Sequence, residues 1–401
     1  MAPDASCELL ASFSGESAER FEPFFQFSNE NRIVQFEVHA VGTHSTTARY
    51  SASDQDWKEV NNILRLTTAD GYEGISGVGS SDHGRFNDQL LSELNDVAGE
   101  LAAVESLDPV EIGRRLQQSS PALSDAVRAS VDIALWDLAA RKADCRLCEM
   151  LGAERNEIDA YASLPFYDSL AEHLDAVEEC AKLGFKTFKF HAWGSIEADM
   201  KLVESVKRVY AGSGYRFMLD LEGAYGPTEA LRLGELMGDD LFDWLEGPLE
   251  DECLDQYADL RDRLAVELIP AGYQHYSREF IRQGIEKEAW DAARFDVVTV
   301  GGISTALDLL IIANDAELPV EIQSWGHSLT QAANLHVTLA NSRSRFFEAP
   351  MPKDAYEFGM ANGNLLNRGS AAVQDESGLG LRVDWDSLAG ADYYAYSALD
   401  L

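Results

Sequence analysis

Charged side chains recur directly after short apolar segments in the second half of the sequence. Asp220 and Glu246 follow two such segments, 26 positions apart. If these segments are neighbouring parallel strands, both carboxylates lie at the same end of the sheet. Like charges held that close raise each other's pKa unless a cation neutralises them, and Mg²⁺ prefers carboxylate oxygens. The pair is therefore a candidate metal site, although strand-end acids are also ordinary in a chain with 69 Asp and Glu.

Two histidines lie beside charged residues in the same pattern. Lys189 and His191 are two positions apart, so on a strand both face the same side. A buried ammonium lowers the pKa of a neighbouring imidazole, which keeps the ring neutral and able to accept a proton. Asp296 and His327 follow later segments, and an imidazole held by a carboxylate is the usual general acid/base. A hydrogen-bonded loop histidine is the alternative interpretation of His327.

These residues require a scaffold of alternating strands and helices. The pattern contains eight short apolar strands, at 158–164, 185–193, 216–223, 241–248, 266–273, 295–302, 319–325 and 345–350. Helical patterns follow the first three strands, at 168–183, 195–211 and 227–238. Repeated βα units predict a parallel sheet, and eight of them predict a closed barrel with its chemistry at the carboxyl ends of the strands. The fold class is therefore α/β.

The first third of the chain has a different pattern. Residues 33–41 and 62–68 alternate as strands, and the pair Asp70-Gly71 predicts a hairpin into 74–78. Residues 86–118 and 121–151 are amphipathic and predict two helices. This part of the chain is therefore expected to be an α+β unit.

Composition narrows the function classes. The chain has 401 residues with 32 Lys and Arg against 69 Asp and Glu, a formal charge of −37. Such a charge repels phosphate backbones and anionic lipid heads, so we expect no nucleic acid and no membrane among the partners. Acids scattered along the chain favour a halophilic origin. Five cysteines and no recognisable signal segment predict a reducing, cytoplasmic location.

An ordered set of motifs connects these observations to one family. The first two are LRLTTADGYEGISGVG and SVDIALWDLAARKADCRLCEMLG; the others are GFKTFKFHAWG, FMLDLEGAY, FDWLEGPL, FDVVTVGGIST, WGHSLTQAANLHV and GLGLRVDWD. Together they resemble the enolase superfamily, mandelate racemase subgroup. The resemblance implies an N-terminal α+β capping domain and a modified TIM-like (β/α)7β barrel. It also implies abstraction of the proton α to a carboxylate, with Mg²⁺ as cofactor.

The resemblance assigns boundaries to four parts of the chain. Residues 1–28 are a polar lead-in and 29–157 the capping domain. Residues 158–352 are the barrel, and 353–401 return to the capping domain. A loop at about 42–57 is expected to close over the substrate.

The same resemblance assigns roles to residues. Asp220 and Glu246 correspond to the first two metal ligands, and Asp296 with His327 to the catalytic dyad. Glu348 corresponds to the acid that hydrogen-bonds the substrate carboxylate. The segment from Lys189 to His191 corresponds to a Lys-x-Lys motif whose second lysine is the base for the other face.

Three positions depart from the family pattern. Tyr273 occupies the place of the third metal-binding Glu, and a phenol with a pKa near ~10 is a poor Mg²⁺ ligand. A water, Gln274, His275 or Glu222 must then complete the site, or the metal binds weakly. Glu222 stands where the family has Asn, so Glu222→Gln is expected to weaken metal binding more than Tyr273→Phe. His191 replaces the second lysine. It could act there as a hydrogen-bond donor, as a weaker base or as a metal ligand.

The resemblance implies a lyase that dehydrates a sugar acid to a 2-keto-3-deoxy acid. The alternatives are a racemase or epimerase of a 2-hydroxy acid, and a non-catalytic barrel with a degenerate metal site. The expected partner is a small carboxylate, and the expected assembly is a homo-oligomer.

Removing salt is expected to lower the melting temperature. At about 0.01 M ionic strength the screening length grows to about 30 Å, so repulsion among the excess acids extends across the whole molecule. Circular dichroism at low and at multimolar KCl measures the effect. An unchanged melting temperature would contradict the halophilic interpretation.

Overall fold

The capping domain contains one antiparallel sheet. In a computed structural model, the structure describes residues 32–42, 60–79, 88–102, 104, 107–272, 276–353, 356–391 and 393–401. The sheet has the order β14-β1-β2-β3, formed by β1 (Ile33–Gly42), β2 (Val60–Thr68), β3 (Glu73–Gly79) and β14 (Tyr393–Asp400). Gly71 has a φ of 87° at the predicted hairpin, a conformation that favours glycine. The last strand of the described residues therefore pairs with the first one.

The two long helices predicted in this domain are each interrupted. The first becomes α1 (Asp88–Leu101) and α2 (Pro109–Ser119). The Asp108 side chain accepts from the backbone N–H of Val110, and proline at the first helical position starts a new helix.

The second predicted helix also divides, into α3 (Asp125–Lys142) and α4 (Leu147–Met150). It begins after Ser124, whose hydroxyl accepts from the Val127 N–H, rather than at position 121. Between the two pieces, Asp144 has a φ of 50°, which no helical residue adopts.

Among the described residues, eight short parallel strands build the second domain. They are β4 (Glu157–Ser163), β5 (Thr187–His191), β6 (Arg216–Asp220), β7 (Phe242–Glu246), β8 (Glu267–Ile269), β9 (Ala293–Phe295), β10 (Val320–Ile322) and β11 (Phe347–Pro350). Parallel ladders join β11, β4, β5, β6, β7 and β8 in that order, and a further ladder joins β9 to β10. The Asp291 N–H donates to the Leu268 carbonyl, which connects the two groups. The predicted α/β barrel is confirmed.

Helices alternate with these strands on the outside. They are α5 (Leu170–Lys182), α6 (Ile196–Tyr210), α7 (Pro227–Met237), α8 (Leu254–Arg261), α9 (Arg278–Glu286), α10 (Ile303–Asp315) and α11 (Ser328–Ala340). After the barrel come β12 (Leu366–Asn367), β13 (Ser370–Ala372) and α12 (Trp385–Ala389). Among the described residues, no helix is long and apolar enough to cross a bilayer.

One predicted strand lies earlier than expected. The segment 295–302 was predicted as a strand, but the strand ends at Phe295, and the residues after it form turns. The Asp296 carboxylate accepts from the Val298 N–H at 2.6 Å, and the Gly302 N–H donates to the Val297 carbonyl. These local bonds use groups that a longer strand would need for its ladder.

Asp137 of α3 ties three parts of the chain together. Its fully buried carboxylate accepts from the backbone N–H groups of Ile75 and Leu379 at 2.8 and 2.6 Å. Arg141 Nε lies 2.7 Å from the same carboxylate.

Asp137→Ala would leave these donors without an acceptor, so we expect the free energy of unfolding to fall by about 3–5 kcal/mol. Chemical denaturation measures the loss, and Asp375→Ala, at an exposed position, is the control with an effect below about 0.5 kcal/mol. A change below about 1 kcal/mol in Asp137→Ala would contradict this role.

Candidate active site

Three adjacent strands place His191, Asp220 and Glu246 in one row. In the ladders His191 is paired with Asp220, and Asp220 with Glu246. Two residues earlier on β6 and β7, Met218 and Trp244 pack together inside the barrel. Because alternate residues of a strand face the same side, Asp220 and Glu246 continue this inner face at its carboxyl end. The strand spacing in the sequence predicted this meeting correctly.

Lys189 lies among the carboxylates of this row. Its Nζ is 3.2 Å from Asp220 Oδ2 and 2.9 Å from Glu246 Oε1. The same ammonium is 2.8 Å from Glu348 Oε1, which β11 supplies from the other side. All four residues are at most 3% exposed. Lys189 therefore acts as a fixed cation shared by three acids.

Arg294 of β9 is a second buried cation that sequence reasoning missed. Its Nε lies 2.8 Å from Glu246 Oε1, and its Nη2 donates to Glu348 Oε2 at 2.7 Å. A Cβ added to Gly272 would lie 2.8 Å from Arg294 Cγ, so the arginine packs directly against Gly272, in the segment that follows β8. Its position inside the apolar segment AARFDVV could have revealed it. A guanidinium in a buried strand requires charged or polar partners, so such an arginine indicates a buried ion pair.

The charges of this cluster nearly cancel. Burial alone would lower the pKa of Lys189, but Glu246 and Glu348 raise it well above the usual value, so the lysine stays protonated. Burial alone would raise the pKa of Glu348, but Lys189 and Arg294 lower it. Burial and the nearby Asp220 raise the pKa of Glu246. Two cations thus face three carboxylates in a site closed to water.

The predicted metal-binding pair, Asp220 and Glu246, does not offer both carboxylates to a cation. Glu246 Oε1 already contacts Lys189 and Arg294, and its Oε2 accepts from Trp244 Nε1 at 3.0 Å. Both oxygens of Glu246 are therefore occupied. Asp220 is different, because His191 Nε2 and Glu222 also lie beside it, and the donor atoms of these three residues are within 4.8 Å of one another. These three residues do fit a divalent metal.

His191 is held by the strand beside it. Its Nδ1 lies 2.6 Å from the Leu164 carbonyl oxygen, and its ring is edge-on to Trp325. Burial and the Lys189 ammonium lower the pKa of His191 to about 4. The imidazole is therefore neutral at neutral pH, and the role of His191 in the site stays a prediction.

Asp296 and His327 lie near the same end but do not bond to each other. Among the described residues, no hydrogen bond or ion pair joins them. His327 Nε2 donates to the Phe358 carbonyl at 2.7 Å, while Asp296 accepts from the Val298 N–H and the Asn334 side chain. The catalytic roles of both residues stay predictions.

Burial sets the protonation of these two groups. It lowers the pKa of His327 to about 4 and raises that of Asp296 to about 6. The imidazole of His327 is therefore neutral at neutral pH. Tyr273, Gln274 and His275, and the predicted loop from residue 43 onward, lie outside the described residues, as does the lead-in 1–28.

Comparison with known families identifies the architecture. Residues 38–152 match the profile of the mandelate racemase / muconate lactonizing enzyme N-terminal domain, and residues 172–387 match the enolase C-terminal domain-like family. The chain belongs to the enolase superfamily. Its capping domain and barrel are the two domains of that fold.

This enolase-superfamily chain has enzymes of two classes among its relatives. It is 27% identical over 262 residues to arabinonate dehydratase of Saccharolobus solfataricus, an alignment covering 64% of this chain and 69% of that enzyme. Other relatives of similar identity are epimerases.

Solved structures give the same assignment of fold. A protein of Pseudovibrio sp. described as a mandelate racemase/muconate lactonizing enzyme superposes with a TM-score of 0.85 and 30% identity, covering 93% of this chain and all of that one. L-talarate/galactarate dehydratase of Salmonella typhimurium, liganded with Mg and L-lyxarohydroxamate, gives a TM-score of 0.80 at 19% identity, over 93% and 96% of the two chains.

Proposed function

We propose that this protein is a sugar-acid dehydratase, which removes the proton α to a carboxylate and expels the β-hydroxyl group. The observation that carries the proposal is the row of His191, Asp220 and Glu246 around the Lys189 ammonium, at the carboxyl end of the barrel. Chemistry in barrels of this type occurs at that end. The similarity to arabinonate dehydratase supports a polyhydroxy acid as substrate.

The reaction balances without an oxidant. The C2–H bond breaks, and the base takes the proton while the electron pair forms an enediolate with the carboxylate. The C3–O bond then breaks, and the hydroxyl group leaves as water after receiving a proton. The resulting enol tautomerises to the 2-keto-3-deoxy acid. The main barrier is the negative charge that builds on the carboxylate, so fixed positive charge is the principal need.

We assign the proton transfer to His327. The Phe358 carbonyl can only accept, so Nε2 of His327 carries the hydrogen and the lone pair lies on Nδ1. Within the part of the chain that the structure describes, the contact that Nδ1 receives is a long one of 3.4 Å from the Leu329 N–H. A Cβ on Gly77 of the capping domain would be 3.7 Å from this nitrogen, which places the lone pair on the side of the capping domain.

Lys189 serves a different purpose. An ammonium bonded to three carboxylates does not lose its proton at neutral pH, so it is no base. We assign it the role of a positive charge near the substrate carboxylate, with the ionised Glu348 as the acid that holds the ammonium in place.

A divalent metal belongs to the proposal. Asp220, with His191 and Glu222, would hold it, and Mg is the ion in the liganded dehydratase of Salmonella typhimurium. When bound, such an ion supplies positive charge that lowers the energy of the enediolate.

Turnover of a library of sugar acids tests the function. The protein, loaded in turn with Mg²⁺ and Mn²⁺, is incubated with aldonic and aldaric acids at low and at molar KCl, and 2-keto products are measured as semicarbazones. We expect product from at least one polyhydroxy acid, with Asp220→Asn as the inactive control.

The same reactions in D₂O separate the alternatives. Exchange of the C2 proton without loss of water would overturn dehydration in favour of racemisation or epimerisation. The absence of both exchange and product across the library would overturn catalysis on these acids.

A further inference from the structure

The donor atoms around Asp220 have a spacing that suits one bound ion. His191 Nε2 lies 3.7 Å from Asp220 Oδ2 and 3.7 Å from Glu222 Oε1. These distances exceed those of hydrogen bonds. Ligand atoms that share one ion lie roughly 3 to 4 Å apart when each is about 2.1 Å from the metal.

The hydrogen bond of the imidazole shows which nitrogen faces this point. Because the Leu164 carbonyl can only accept, Nδ1 of His191 carries the hydrogen of a neutral ring. The lone pair is then on Nε2 and lies toward two carboxylates. Electron-rich atoms that converge on one point, here from two buried side chains and the partly exposed Glu222, are stabilised by a cation among them.

The backbone holds the third donor in place. Glu222 has a φ of 51°, outside the usual range for residues other than glycine, and its N–H donates to Asp220 Oδ1 at 3.0 Å. The bond fixes one oxygen of Asp220, while Oδ2 faces both Lys189 and His191. The acid that replaced the family's Asn is thereby directed to the same point as the imidazole.

Two cationic side chains, Lys189 and Arg294, already bind Glu246, which was the other expected metal ligand. Glu246 is neutralised by Lys189 and by Arg294, and the arginine lies under Gly272, directly before the position where the family has its third carboxylate. Both oxygens of Glu246 are therefore occupied by groups of the protein itself.

We propose that this protein binds its divalent cation through His191, Asp220 and Glu222, without Glu246, in a site that favours Mn²⁺ over Mg²⁺. The inference rests on the proposed function, since it concerns the metal of that same site. Mg²⁺ takes oxygen ligands, whereas an imidazole nitrogen among carboxylates suits first-row transition metals.

Mn²⁺ binding to the metal-free protein tests the assignment without turnover. Electron paramagnetic resonance of free Mn²⁺ gives the affinity, and pulsed measurement of the bound ion detects a ¹⁴N ligand. We expect one Mn²⁺ per chain with a ¹⁴N signal, and at least tenfold weaker binding of Mg²⁺ in competition. Asp220→Asn, Glu222→Gln and His191→Asn should each weaken Mn²⁺ binding at least tenfold, and the last should remove the ¹⁴N signal.

Two matched variants act as controls. Glu246→Gln removes a carboxylate as buried as Asp220 and bonded to the same lysine, and we expect Mn²⁺ affinity within about twofold of wild type. His173→Asn removes another fully buried imidazole and should leave the ¹⁴N signal intact. Circular dichroism checks folding. If Glu246→Gln does not fold, the comparison of His191→Asn with wild type decides.

Three results would overturn the assignment. They are no bound Mn²⁺, a bound ion without a ¹⁴N signal, and a Glu246→Gln variant weakened as much as Asp220→Asn. Failure of the proposed function would give a different result. In that case the sugar acids would remain unreacted, while the expected pattern of Mn²⁺ binding among the variants would still be observed.

Discussion

Replacing His327 by Asn is expected to lower kcat by about 10²–10⁴, the usual contribution of a positioned general acid/base. The fold should persist. His327 is the N-cap of α11, and Asn is among the best residues at that position. The measurement is steady-state turnover of the sugar acid found in the screen, with melting temperature and bound Mn²⁺ measured on the same preparation.

The pH profile gives a second check of the same residue. Because burial lowers the pKa of His327 to about 4, the neutral base persists through the acidic range where an ordinary histidine would be charged. Protonation of His327 should therefore lower the rate only as the pH approaches about 4. Between pH 7 and 6 this residue should cause no decrease. Activity of His327→Asn within a few-fold of wild type would remove His327 from the mechanism.

Replacing Arg294 by Met should strongly lower the free energy of unfolding. The variant keeps most of the volume but leaves Glu246 and Glu348 in a fully buried site with Lys189 as their remaining cation. Removing one partner of a buried ion pair typically costs about 3–5 kcal/mol. Chemical denaturation of wild type and variant measures the difference in the free energy of unfolding.

A surface arginine provides the comparison. Arg343 pairs with Glu317 at 3.5 Å, and that acid is 85% exposed. Arg343→Met should therefore change stability by less than about 1 kcal/mol. If the double variant Arg294→Met/Glu246→Gln recovers part of the loss, the cost lies in the unpaired carboxylate. Equal effects of Arg294→Met and Arg343→Met would contradict the buried network.

The fold could be predicted because its signals are local and repeated. Short apolar segments at a steady interval define parallel strands, and Asp70-Gly71 defines a hairpin, whatever the distant neighbours are. The errors occurred where a polar side chain bonds the adjacent backbone. Asp108 starts a helix within a continuous helical pattern, and Asp296 ends a strand early. Hydrophobic periodicity does not detect such bonds.

The candidate site could be predicted in position but not in bonding. Strand ends located Lys189, Asp220 and Glu246, because register in a parallel sheet follows from the pattern of strands. Which oxygen receives which cation depends on side chains from opposite sides of the barrel, such as Glu348 and Arg294. The same reason separates Asp296 from His327, since each found a partner on α11 or in the segment after the barrel.

The pairing of β14 with β1 has a consequence for how the protein is made. Strand β1 emerges from the ribosome early, but its partner at residues 393–400 is synthesised only after the whole barrel. Until then β1 exposes an open edge, and open edges invite pairing with other chains. Contacts of such long sequence separation also form slowly. The nascent chain is therefore most vulnerable to aggregation after the barrel has been translated and before the last strand arrives, which is when a chaperone would protect it best.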